Sequence, residues 1–145
     1  MVSPSTVLAT LGAHGYRVTA PRRALAGLIA AHDGHFSAED LLEESRRGAL
    51  GLGRATIYRG LDTLTALGLV ERLDLPNGAH AFVACEPSRE HHHHVVCSAC
   101  GRSEPVEDCG MAAVVGEVGR RTGYRIDTHR IELFGICPAC QGMPS

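Results

Sequence analysis

Metal-binding residue types are concentrated in one stretch of the chain, HHHHVVCSACG at residues 91–101. A second Cys-x-x-Cys, CPAC at residues 137–140, lies near the other end of the same half. Imidazole nitrogen and thiolate sulfur are the ligands that zinc takes most often in proteins. These residue types at these spacings predict transition-metal binding.

The two Cys-x-x-Cys pairs predict one structural zinc site. Each pair places two thiolates on one metal, and two pairs complete a tetrahedral site of Cys97, Cys100, Cys137 and Cys140. The alternative is a redox dithiol, for which one pair beside a parallel βαβ unit would suffice. The presence of two pairs favours zinc.

The four consecutive histidines predict two half-sites on opposite faces of a strand, because neighbouring side chains of a strand alternate. His92 and His94 share one face, where Cys85 and His35 are candidate partners. The other face carries three imidazoles and one of two candidate carboxylates: His91, His93, His129, and Glu104 or Glu107. A purification tag has no reason to lie inside a strand pattern.

The first half of the chain predicts a winged helix-turn-helix, since residues 1–84 contain four helical segments followed by a hairpin. In that fold the last helix enters the major groove of DNA with its N-terminal residues. Basic and hydroxyl side chains suited to phosphates and base edges occur there and in YRVTAPRR, and the candidates are Arg17, Arg22, Arg54, Thr56, Tyr58 and Arg59.

The second half predicts a small β-α-β unit. Residues 91–97 and 124–136 have strand patterns, and a helix between them ends near Gly123. The fold class is therefore α+β, with a winged-helix domain at 1–84, a junction at 85–90 and a metal-binding domain at 91–145. So small a second core gains from a metal or from a partner chain.

Composition excludes several classes of protein. The chain has 145 residues and a net charge of −2, with no apolar run of membrane-spanning length and no secretion signal, so we expect a cytoplasmic protein without membrane contact. No phosphate loop, metalloprotease helix or serine-nucleophile motif is present, so we expect neither an enzyme nor a small-molecule substrate.

Five segments together resemble the ferric-uptake-regulator (Fur) superfamily of metal-sensing repressors: YRVTAPRRAL, HFSAEDLLEE, RATIYRGLDTLTALGLV, HHHHVVCSACG and HRIELFGICPAC. The resemblance covers nearly the whole chain. It implies a winged-helix domain, a hinge and a dimerisation domain. It further implies a homodimer that represses genes by binding a palindromic double-stranded operator when a regulatory metal is bound.

By position, the resemblance assigns the four cysteines to structural zinc and His35, Cys85, His92 and His94 to the sensory site. A thiolate at Cys85, where iron-type members carry glutamate, resembles the zinc-uptake-regulator (Zur) branch and implies Zn²⁺ in both sites. Zinc-type relatives often use an acid at the position of Glu71 instead of His35; we favour His35. Ala112 and Pro105 stand where the third site's acids are expected, which weakens that site.

Two alternatives remain open at this point. One is an iron-, manganese- or peroxide-responsive regulator of the same superfamily, with Fe²⁺ or Mn²⁺ in the sensory site. The other is a zinc-buffering or thiol-redox protein that does not bind DNA. The first-half pattern opposes the second alternative.

Overall fold

The structure, a computed structural model, describes residues 2–87, 93–106 and 110–142. The chain forms two compact units, Met1–Arg89 and Glu90–Ser145. Residues 88–90 of the predicted junction lie outside the described residues, so the hinge at 85–90 stays a prediction.

The first unit has the element order of a winged helix, as predicted. Four helices precede one antiparallel hairpin: α1 (Pro4–Ala13), α2 (Ala20–Ala30), α3 (Ala38–Arg47), α4 (Arg54–Ala66), β1 (Val70–Asp74) and β2 (His80–Ala84).

Local signals in the sequence set where these helices begin and end. Ser37 and Asp40 form a reciprocal capping box at α3, because each side chain accepts a hydrogen bond from the backbone of the other. Thr19 caps α2 with its hydroxyl. Beyond α4, Gly68 adopts a φ of +73°, which allows the chain to turn directly into the hairpin.

The core of the first unit fixes the orientation of α4. Ile57, Leu61 and Leu64 face inward at helical spacing and are fully buried. Helix α2 packs closely on α4 at Gly60, where a Cβ would lie 2.3 Å from a terminal methyl of Leu25. The inward stripe leaves the polar first turn of α4 facing solvent.

The hairpin is held to the helices by a two-way backbone bridge. The Phe36 N–H donates to the Phe82 carbonyl at 2.9 Å, and the Phe82 N–H donates to the Phe36 carbonyl at 2.7 Å. In the turn between the strands, the Asn77 side chain accepts a bond from the Ala79 N–H, and Gly78 has a φ of +83°.

The second unit is a three-stranded sheet with one longer helix. Its elements are β3 (His93–Cys97), β4 (Ser103–Val106), α5 (Ala112–Thr122), β5 (Glu132–Gly135) and the short α6 (Pro138–Gln141). Strand β3 is central, antiparallel to β4 and parallel to β5. Helix α5 ends at Gly123 in the left-handed conformation, as predicted.

The predicted long strand over 124–136 is wrong in extent, because only Glu132–Gly135 pairs with a neighbour. A strand needs a partner along its whole length, and β3 offers β5 four residues of register. The alternating pattern of residues 124–131 therefore has no sheet edge to join within the described part of this chain.

Candidate metal centres and nucleic-acid interface

The four predicted structural cysteines converge in the second unit. One ligand atom from each of Cys97, Cys100, Cys137 and Cys140 lies within 4.8 Å of all the others. The sulfurs of Cys100 and Cys137 are 3.8 Å apart. Zinc–sulfur bonds of about 2.3 Å at tetrahedral angles separate two sulfurs by about 3.8 Å, whereas a disulfide separates them by about 2.0 Å. The arrangement fits a four-thiolate zinc site.

Backbone amides prepare this cluster for negative charge. The Cys137 N–H donates to the Cys97 sulfur at 3.3 Å. Such bonds, first from Cys137 and then from Cys100, lower the pKa of Cys97 to about 6. The pKa of Cys140 is raised to about 12, chiefly by hydrogen bonds with the neighbouring Cys137 and Cys100. One thiol is thus ready to ionise while another retains its proton until a cation arrives.

The hairpin of the first unit places Glu71 beside Cys85. The Cys85 N–H donates to the Leu69 carbonyl at 2.9 Å, which continues the β1–β2 register by one pair. Residues 69, 71 and 85 therefore share one face of the hairpin. A carboxylate oxygen of Glu71 and the Cys85 sulfur lie within 4.8 Å of one another.

The Cys85 thiol is poorly suited to ionise by itself. Its side chain is 6% exposed. Burial, followed by the nearby Glu71 charge, raises the pKa of Cys85 to about 12. The thiol donates to the Val83 carbonyl at 3.6 Å. A soft cation that replaces this proton would relieve both the burial of the thiolate and its repulsion by the carboxylate.

The other predicted sensory residues are placed differently. His35 is half-buried in the segment before α3. It does not belong to any group of three or more closely spaced His, Cys, Asp or Glu ligands within the described ranges. His94 is buried in β3, on the face opposite to that of His93. His92 lies outside the described residues.

Two imidazoles of the predicted third site meet. The Nε2 atoms of His93 and His129 are 3.1 Å apart, with ring centroids at 5.0 Å. Glu104 of β4 pairs with Val95 of β3, and it lies on the same sheet face as His93, two pairs further along. His91 and Glu107 lie outside the described residues.

Predicted DNA-contacting residues line a cleft of the first unit. The cleft has a volume of about 410 Å³ and lies between the start of α2 and the outer face of α4, with Arg22, Thr56 and Arg59 in its walls. Arg22 is held in place, because its guanidinium donates to the Arg17 carbonyl at 2.8 Å and lies 5.2 Å from the centroid of the Tyr16 ring. Thr19 and Thr63, which no sequence motif indicated, add two hydroxyls to the walls of the cleft.

One further contact at this surface was not predicted. Arg54, the first residue of α4, forms an ion pair with Glu39 in the first turn of α3. The two residues are 15 positions apart in the sequence, and no local motif relates them. Tyr58, one turn after Arg54, is exposed on the same helix.

The family of this chain follows from its similarity to known proteins. The model of the ferric uptake regulator family matches residues 13–134. The chain belongs to the Fur family. It is therefore a metal-responsive regulator, and the prediction that it is not an enzyme agrees with a family of regulators.

Related Fur-family proteins cover nearly the full chain. The zinc uptake regulation protein of Mycobacterium tuberculosis H37Rv is 36% identical over 131 residues, which is 90% of this chain and 99% of that protein. The ferric uptake regulation protein of Bacillus subtilis 168 is 31% identical over 134 residues, covering 91% of this chain and 90% of the relative.

Solved Fur-family structures share the fold. A zinc uptake regulator complexed with zinc and DNA superposes with a TM-score of 0.77 at 24% identity, over 97% of each chain. The Vibrio cholerae ferric uptake regulator superposes with a TM-score of 0.61 at 28% identity, covering 89% of this chain and 98% of that one. The predicted α+β architecture with a winged helix is confirmed. In the part of the chain that the structure describes, no helix is long and apolar enough to cross a membrane.

Proposed function

We propose that this Fur-family protein is a cytoplasmic, zinc-responsive repressor that binds a palindromic DNA operator as a homodimer. The observation that carries the proposal is the Cys85–Glu71 pair, which belongs to the first unit, whereas the four-cysteine cluster belongs to the second. One chain thus has two sets of metal ligands with different chemistry. One set suits a permanently bound ion, and the other suits an ion that binds reversibly.

The four-cysteine cluster holds a structural zinc. Its closed set of thiolates leaves no position for a substrate or a water. The second unit needs this stabilisation by zinc, because its described residues include only four buried ones: His93, His94, Val96 and Cys97. Structural zinc contributes about 10–16 kcal/mol in small zinc-dependent domains, which is enough to decide whether this unit folds.

The sensory ion binds to Cys85 and Glu71 together with His94 and His92. We propose Glu71, rather than His35, as the fourth ligand, because the hairpin register brings Glu71 next to the Cys85 sulfur. One thiolate, two imidazoles and one carboxylate form a borderline-soft set. Because it contains a thiolate, that set suits zinc better than manganese or iron.

His93 and His129 are proposed as a weaker accessory site. Their Nε2 atoms are close enough to share one cation or one proton. Two imidazoles alone leave two tetrahedral positions to be filled by Glu104, by residues outside the described ranges or by water. We therefore expect this site to fill last.

The homodimer is supported by the apolar surface of the second unit. Helix α5 has no buried residue, and large hydrophobic side chains are exposed on this helix, on the sheet and in the segments that follow them: Val95, Val114, Val118, Tyr124, Leu133 and Ile136. A small unit rarely leaves so much apolar surface in water. A second copy would cover it and would give residues 124–131 a neighbouring chain.

The proposed mechanism is a population shift. Two winged-helix units joined to a dimer core sample many spacings, and few of these match two half-sites of a duplex. A metal held by ligands from both units favours the matching arrangement only to the extent that it binds this arrangement more tightly than the others. DNA must then tighten zinc binding by the same factor.

Two cysteine variants test the separate roles of the sites. Cys85→Ser should keep one zinc per chain and the wild-type circular dichroism but lose zinc-dependent binding to duplexes selected by the wild type. Cys97→Ser should lose the structural zinc and unfold the second unit. Metal analysis, circular dichroism and gel shifts on both variants measure this, and equal unfolding of the two would contradict a separate sensory site.

A further inference from the structure

Arg54 differs from the other basic residues of the predicted DNA surface by having a carboxylate partner. Among the described residues, Arg17, Arg22 and Arg59 form no ion pair, whereas an Nη1 of Arg54 contacts an Oε1 of Glu39. Both partners are well exposed, at 57% and 60% of their side-chain surface. The ion pair connects the first turns of α3 and α4, the two helices of the helix-turn-helix.

Folding stability gives little reason for this contact. An ion pair exposed to water contributes little to the free energy of folding, and screening by salt reduces that contribution further. Arg54 also places a cation at the N-terminus of α4, where the helix dipole disfavours positive charge. Glu39 relieves that cost, but a neutral residue at position 54 would avoid it altogether.

Affinity for DNA gives no reason either. The N-terminal end of α4 faces the duplex in this fold, and the preceding helix lies across the backbone. A carboxylate in the first turn of α3 therefore repels the phosphates. By this repulsion we expect Glu39 to lower affinity for every duplex, whatever its sequence, so a gain in affinity does not account for it.

The geometry of the guanidinium supplies that contribution. The group is planar and carries five N–H donors, of which Glu39 engages one nitrogen. The Glu39 carboxylate accepts a hydrogen bond from the Arg54 guanidinium and raises the pKa of that group, and Tyr58, one turn along α4, raises it to a smaller extent. Anchored on one side, the group presents its remaining donors in one direction.

We infer that Glu39 is a positioning residue for sequence recognition: it directs Arg54 to a base edge of the operator and keeps it from binding phosphates indiscriminately. A fixed guanidinium can donate two parallel bonds to guanine O6 and N7, the contact that distinguishes guanine from the other bases in the major groove. A free arginine at the same position would find the nearest phosphate instead. This inference rests on the proposed DNA-binding function.

Selection from a random duplex library tests the inference, because such a selection does not require a known operator sequence. Zinc-loaded wild type, Glu39→Ala, Glu39→Gln, Arg54→Ala and Glu43→Ala are each used for selection, and the enriched base frequencies are compared. Glu43 is a matched control because it lies one turn further along α3, is exposed and pairs with Arg46 and Arg47 instead. Its removal changes the net charge by the same amount.

We expect Arg54→Ala and both Glu39 variants to lose base preference at the same operator position, with discrimination there falling about 5- to 100-fold. Glu39→Ala should also bind a scrambled duplex about threefold more tightly, with a steeper dependence on salt, because a repelling charge is gone. Glu43→Ala should keep the wild-type base preference at every position.

Two results would overturn the inference: retention of the full wild-type preference by Glu39→Ala, or an equal loss in Glu43→Ala, which would reduce the effect to net charge. Failure of the proposed function is distinguishable from both. In that case the zinc-loaded wild type itself would enrich no sequence, and Glu39 would have no recognition to assist.

Discussion

At the scale of single residues, Cys85 is the side chain that makes the proposed sensory site reversible. Its thiol is buried beside Glu71, and both conditions raise its pKa, to about 12. Cys97 differs, since backbone amides lower its pKa to about 6 before any metal arrives. The structural cluster is therefore prepared for zinc, whereas the sensory site must exchange a proton for it.

This exchange predicts how zinc affinity depends on pH. With a pKa raised to about 12, the Cys85 thiol is protonated near neutral pH in the metal-free protein, so sensory zinc should release one proton from it on binding. That proton contributes about a tenfold gain in zinc affinity for each pH unit between about pH 7.5 and 8.5. Competition with a chromogenic chelator, on protein whose structural zinc is in place, measures the slope.

The Cys85→Asp variant is the matched control, because it keeps an anionic ligand without a high-pKa proton. For this variant, the rise of zinc affinity with pH should be shallower than in the wild type by about one factor of ten per pH unit. Identical slopes in the two proteins would show that the Cys85 proton is not exchanged for zinc.

The metal ligands and the Arg54–Glu39 pair differ in how far sequence reveals them. The four cysteines were predictable because Cys-x-x-Cys spacing is itself the geometry of the site. Glu39 was not, because its role depends on the angle between α3 and α4, which no short motif encodes. Glu71 was identified only as a competitor to His35, since the hairpin register that brings it to Cys85 is a long-range property.

At the scale of elements, Gly60 sets the distance between α2 and α4, the helix that we propose reads DNA. A Cβ at this position would lie 2.3 Å from a methyl of Leu25, whose side chain is 3% exposed and has little room to move. We expect Gly60→Ala to lower the free energy of unfolding by about 1–3 kcal/mol through overpacking. Thermal or urea unfolding followed by circular dichroism measures the change.

Gly27→Ala is the matched control for Gly60→Ala, because this glycine is also inside a helix and a Cβ there meets no atom within 4 Å. It should stabilise the protein by about 0.4–1 kcal/mol through the loss of backbone freedom in the unfolded chain. Equal effects of the two substitutions would mean that α2 and α4 are not in close contact.

Helix ends and strand ends differed in how well they could be predicted. The end of α5 at Gly123 was predicted from neighbouring residues and is present. The capping box at Ser37 and the turn at Gly78 are equally local features. Residues 124–131 alternate like a strand but lie outside the sheet, because pairing depends on an available edge rather than on pattern. Strand β4 was missed as an individual element, since its four residues include Pro105.

At the scale of the whole molecule, the second unit depends on contributions from outside its own core. The four-cysteine site joins Cys97 and Cys100 at the end of β3 to Cys137 and Cys140 after β5. The apolar surface of α5 and the sheet is left for a second copy. We therefore expect zinc and dimerisation to stabilise the same unit, while the first unit has an ordinary buried core of its own.

The proposed regulation couples this stable core to the positioning of two DNA-reading units. Allosteric coupling between two ligands typically changes affinity about 5- to 150-fold, so we expect sensory zinc to tighten binding to the selected duplex within that range. The structural zinc should contribute to folding under all conditions and should not vary with the signal.

The central claim is tested most directly by a linkage measurement on the wild type. Affinity for the selected duplex is measured across buffered free-zinc concentrations that leave the four-cysteine zinc in place, and zinc affinity is measured with and without that duplex. We predict that zinc tightens DNA binding and that DNA tightens zinc binding by the same factor. Equal DNA affinity with the sensory site empty and filled would contradict the account.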